Sequence, residues 1–184
     1  MFGLLLLLST LFGPTSPPPV PIAVGPRYQR PAITGRTVAG LPIGSLHCTR
    51  RQISAIAHVE LFVNRRAVLL APGIGVAPPR TLRDGVVGDG RCTYPLSTRD
   101  PTGVVFGPPD APATLGQLFR IWGQPLGARR LLGFHSHRPL RAFVDGHRWT
   151  GPVTSIPLSR RNEVVVELGG LVPPHSFYLF AEGG

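Results

Sequence analysis

The chain contains no lysine: all nineteen of its basic residues are arginine. Against nine acidic residues they leave a formal charge of +10. Such a charge suits nucleic acid, anionic lipid or acidic polymer as partners. The arginines are scattered, however, with Arg50-Arg51, Arg65-Arg66, Arg129-Arg130 and Arg160-Arg161 as separate pairs. No basic run or aromatic-basic motif is present, so specific nucleic-acid recognition is not expected. Arginine without lysine fits the codon bias of a GC-rich genome better than selection for phosphate contacts. Cysteine is also scarce. Cys48 and Cys92 are the whole supply, which excludes a Cys-only metal site, and they are too far apart for a C-x-x-C redox motif. No Gly-x-Ser-x-Gly elbow occurs. Gly73-Ile74-Gly75 is too short for a phosphate loop and follows no βα pattern. Ser54, His58 and Asp100 can be drawn as a Ser-His-Asp set, as in any chain with this many serines, and nothing around them resembles an activated nucleophile. The expectation is a protein that is not an enzyme and needs no cofactor.

What is present points to export. Leu4 to Phe12 is an apolar run broken only by Ser9 and Thr10. It is too short to span a bilayer, which needs about 20 residues, and it matches the apolar part of a secretory signal. No Lys or Arg precedes it, and no small-x-small cleavage site follows. Export makes Cys48 and Cys92 a disulfide pair, worth about 4 kcal/mol in the chain-entropy treatment of a loop this long. Residues 13 to 31 carry seven prolines, an extended spacer rather than a folded element. The expected organisation is a signal-like segment over 1–12, a Pro-rich spacer over 13–46 and one disulfide-linked β-rich domain over 47–184. The domain would be secreted or held at the outer face of the cytoplasmic membrane.

Within that domain, Ala57 to Val63 is rich in strand formers, Asn64-Arg65 makes a turn, and Ala67 to Leu70 returns. Residues 73 to 91, rich in Gly and Pro, are expected to form a long surface loop. Val104 to Phe106 is a short strand. Thr114 and Gln117 form a capping box ahead of Leu115, Leu118, Phe119 and Trp122, an apolar stripe at helical spacing that Gly123 ends. A second hairpin turns at Asp145-Gly146, and Glu163 to Leu168 is the last strand, with Val164, Val165 and Val166 inside charged ends. The two hairpins resemble each other, as an internal duplication would. This order predicts an α+β fold, mostly antiparallel with one helix on a face, of the β-grasp kind, with an all-β sandwich as the alternative. His135-Ser136-His137 is an alternate pair that could chelate a metal on a strand, although Gly133 and Pro139 favour a loop. His47, His147 and His175 are isolated.

Several ordered blocks resemble a family of small exported bacterial and archaeal proteins. Cys48 and Cys92 sit at its two cysteine places. Phe62-Val63-Asn64, Pro72 to Val76, Thr93 to Leu96 with Asp100, and Gly103-Val104-Val105 follow its order. The most specific block runs from Thr114 to Phe119 and from Trp122 to Leu126. In typical members the resemblance implies a copper or zinc site built from a His-x-His-x-His run, a His-Thr-His run and a later histidine. Those positions here are Ser54, Ile56 and His58, then Ser97 and Arg99, then Phe106. His58 alone remains, and Arg99 would place a fixed cation where a metal sat. The resemblance therefore implies a member without the family's site, a non-enzymatic exported domain that binds another protein, an envelope polymer or an anionic surface. The competing expectation is a metal-binding protein that uses His58 with rebuilt ligands, His47, His135 or His137.

Overall fold

A computed structural model describes residues 27–50 and 53–181. The apolar run over 1–12 and residues 13–26 of the proline-rich spacer lie outside the described residues. In chain order the elements are β1 (Arg27–Tyr28), α1 (Gly35–Ala39), β2 (Ser54–Val63), β3 (Arg66–Val68), β4 (Val76–Arg83), β5 (Val86–Thr93), β6 (Val104–Gly107) and α2 (Leu115–Trp122). They continue with β7 (Leu126–Gly127), β8 (Arg130–Leu131), β9 (Phe134–His135), β10 (Arg141–Val144), β11 (His147–Arg148), a 3-10 turn (Val153–Ser155) and β12 (Asn162–Leu168). The fold is α+β and β-rich, and most of its strand pairs are antiparallel.

The main sheet has the order β1-β3-β2-β12-β10-β11, with β6 also paired to β2. Its centre departs from the antiparallel rule. β2 and β12 pair in parallel from Ala57–Asn162 to Val63–Leu168. Every residue of β12 and nearly every residue of β2 is buried, as expected for a parallel pair covered on both faces. One face carries Ala57, Val59, Leu61, Val63, Val164, Val166 and Leu168. These meet the α2 stripe of Leu115, Leu118, Phe119 and Trp122 in the main core. The helix has the expected capping box and the left-handed Gly123 stop. Both predicted turns are present: Asn64 and Arg65, like Asp145 and Gly146, have positive φ, which closes a two-residue hairpin with the twist that its strands require.

Two segments differ from the sequence expectation. Residues 73 to 91 are not a loop: β4 and β5 form a hairpin whose register shifts around Arg80. The shifts fall beside Pro78 and Pro79, which have no N–H to give to a regular ladder. Residues 27–46, assigned to the spacer, supply β1, which pairs with β3, and a second helix, α1. They also place Ile43 and Leu46 in the main core. Cys48 and Cys92 are joined, with Cα atoms 5.4 Å apart. Thr49 and Thr93 exchange backbone hydrogen bonds beside the bond, so the disulfide staples this N-terminal segment to β5.

Candidate functional site

The second face of the central pair is unlike the first. On β2 it presents His58, Glu60 and Phe62. On β12 it presents their register neighbours Glu163, Val165 and Glu167. All four polar residues are buried. Charged groups are rarely buried without partners, and each of these is held.

His58 Nε2 lies 2.7 Å from the Thr102 carbonyl oxygen. A carbonyl can only accept, so Nε2 carries hydrogen and donates. Nδ1 then faces Glu163 Oε2 at 2.7 Å, with one proton between them. Burial pushes the Glu163 carboxyl above its usual range, and the neighbouring Glu60 adds to the rise. The hydrogen bond and charge of His58, and the charge of His175, oppose it. Glu60 Oε2 is 2.9 Å from His175 Nδ1. Its Oε1, like Glu163 Oε1, is buried with no hydrogen-bond partner among the described residues. Further along β12, Glu167 accepts from the Val172 N–H at 2.9 Å and lies 3.3 Å from Arg141 Nε.

The segment after β12 covers this face. Val172 joins Phe62, Ala67, Val165 and Phe143 in a small apolar cluster. His175 reaches Glu60. The Tyr178 ring stacks on His58, centroids 3.8 Å apart and planes 11° from parallel. Burial, then the charges of Asp100 and Glu163, push the Tyr178 phenol up. The Arg161 guanidinium lies 5.3 Å from the Phe180 ring centroid.

His58, Glu60 and Glu163 each offer a ligand atom, and these atoms lie within 4.8 Å of one another. Neighbouring donors on a tetrahedral ion stand about 3.4 Å apart, so holding an ion asks these three side chains to draw closer together. The Thr102 carbonyl already does what an outer partner does for a ligand histidine: it fixes the tautomer and aims the other nitrogen.

The structure places the expected residues differently from the sequence reading. His47, His135 and His137 are exposed, and none of them belongs to the cluster. The groups gathered with His58 are carboxylates, not histidines. The alternation of Ser54, Ile56 and His58 is broken by a bulge between Ala55 and Ala57, and Ile56 packs into the main core. The other positions where the resemblance expects histidine do converge. Ser97 bridges to Phe106, and the Arg99 guanidinium lies 4.7 Å from the Phe106 centroid. Arginine on an aromatic ring occupies that place. The Ser54–His58–Asp100 set is not assembled, because both His58 nitrogens are engaged elsewhere and Asp100 binds the Thr102 backbone and hydroxyl.

The class defined by this fold and site is an α+β, disulfide-linked domain with a buried histidine–carboxylate cluster under its C-terminal segment. No family model, curated protein or solved structure matches the chain.

Proposed function

We propose that this is an exported, non-enzymatic domain that binds a divalent first-row transition ion of the zinc kind through His58, Glu60 and Glu163. One observation carries the reading: three buried donors converge, and two of their carboxylate oxygens have no partner among the described residues. One imidazole with two carboxylates suits zinc and its neighbours; an imidazole donor disfavours calcium and magnesium. The ion would take the place of the proton between His58 and Glu163. Export is supported by the apolar N-terminal run and the disulfide. The site is a departure from the resembling family's histidine set: His58 is kept and the other donors are new.

The test is zinc content of the purified full chain after dialysis against zinc at neutral pH. One ion per chain is expected, lost in His58→Ala and in Glu163→Gln. A chain that retains no zinc, or variants that retain it unchanged, would overturn the reading.

A second reading is binding to an anionic envelope surface through the tip of the β4–β5 hairpin. Residues 81–86 there are all exposed, with Leu82 68% and Val86 40% accessible beside Arg83. Co-sedimentation with phosphatidylglycerol vesicles should fall when Leu82→Asp is introduced and as salt rises. Salt-insensitive binding would remove this reading.

A further inference from the structure

The segment over 172–181 has no regular secondary structure, yet it lies in a defined place. Gly169, at φ +93°, turns the chain out of β12. The Val172 N–H anchors the segment on Glu167. Pro173 and Pro174 keep it extended. Beyond them the side chains sort by face: His175, Tyr178 and Phe180 are partly buried, while Ser176, Phe177 and Leu179 are exposed. Phe180 packs edge-on against Tyr178, centroids 5.0 Å apart, and Arg161 lies over the Phe180 ring.

Two features of this strap bear on the buried cluster. His175 Nδ1 and Glu60 Oε2 are 2.9 Å apart, and His58 Nδ1 and Glu163 Oε2 are 2.7 Å apart. Two donors bound to one zinc-like ion at right or tetrahedral angles stand about 3.0–3.4 Å apart. Both nitrogen–oxygen pairs are thus close to the spacing of neighbouring ligands. The His175 side chain is also 32% exposed, whereas Glu60 is 1% exposed, so His175 joins solvent to the buried donors.

We propose that His175 is the fourth ligand of the cation held by His58, Glu60 and Glu163, so that the C-terminal strap closes over the ion as part of its coordination shell. This rests on the cation reading above and deepens it. The donor set becomes two imidazoles and two carboxylates, one imidazole being on a segment without regular secondary structure. His175 Nδ1 lies 2.9 Å from Glu60 but is not among the three donors that stand within 4.8 Å of one another, so coordination asks it to move toward Glu163. An ion enters when the strap lifts, and its capture draws His175 down.

The experiment is a cobalt(II) titration of the full chain, followed by visible absorption, with zinc competition for affinity. The wild type should bind one cobalt with the intense bands of a four-coordinate site. Loss of an outer partner of a ligand costs about 10–100-fold in affinity, and loss of a ligand should cost at least as much. His175→Gly should therefore weaken binding by at least about tenfold and shift the bands, and added imidazole should restore both. His175→Gln can still hydrogen-bond Glu60 and hold the strap, so the same loss in that variant reports coordination rather than docking. Wild-type binding with unchanged affinity and spectrum in both variants would overturn the strap ligand and leave the three-donor site standing. A wild type that binds neither cobalt nor zinc would overturn both.

Discussion

At the scale of single residues, charge and backbone conformation leave readable marks. Burial raises the Glu167 carboxyl above the ordinary glutamate value of 4.5, and the Val172 N–H and Arg141 only partly offset the rise. Between 4.5 and that raised value the folded chain holds a proton that the unfolded chain has released. Stability from this group therefore falls as pH rises through the window and is flat above it. Urea unfolding from pH 4.5 to 7 should show this slope in the wild type and a smaller one in Glu167→Gln; equal slopes would contradict it. Arg65 sits at φ +67° in its turn, where a side chain costs about 1 kcal/mol. Arg65→Gly should stabilise the domain by about 0.5–1 kcal/mol, measured by the urea midpoint. The sequence made this turn legible, because Asn64-Arg65 stands between two apolar runs. The sequence also carries a signal for the site. His58 and Glu60 are polar residues at alternate places in an otherwise apolar strand, which marks a second buried face. Glu163 reads in the sequence as a charged strand end, because nothing local shows that β12 lies beside β2.

At the scale of elements, local signals succeeded where chemistry and periodicity agree. The α2 helix is such a case: Thr114 accepts from the Gln117 N–H, and the Gln117 side chain accepts from the Thr114 N–H. Thr114→Ala should cost about 1 kcal/mol, seen as a lower urea midpoint. Leu118→Ala, at a position with no exposure, should cost about 2–5 kcal/mol. The β4–β5 hairpin was not legible because Pro78, Pro79, Gly88 and Gly90 erase the alternation that marks a strand. Its place is set by distant partners instead: Thr49 pairs with Thr93, and Cys92 is bonded to Cys48. At Gly75 (φ +74°) a side chain would meet the Leu96 carbonyl, so the chain entering β4 passes hard against its neighbour. Gly75→Ala should unfold this corner before it disturbs the central sheet, as amide exchange would show in β4 and β5.

At the scale of the whole molecule, the disulfide closes a loop 44 residues apart in sequence. Reduction, or Cys48→Ser with Cys92→Ser, should cost about 4 kcal/mol in the chain-entropy treatment. Bound metal should act in the other direction, adding about 2.7 kcal/mol at a free ion concentration 100 times the Kd. Thermal melts with and without zinc separate the two, since His58→Ala should abolish only the second. Another whole-molecule property follows from the pairing of β2 with β12. His58 meets Glu163 across 105 positions of sequence, and the strap that covers them comes later still. Contacts so distant make closure of the core slow, because loop entropy must be lost before they form. A chain leaving the ribosome or a secretion channel in order from its N-terminus cannot complete its central sheet until β12 has emerged. Until then the buried face of β2 has no partner strand to cover His58 and Glu60.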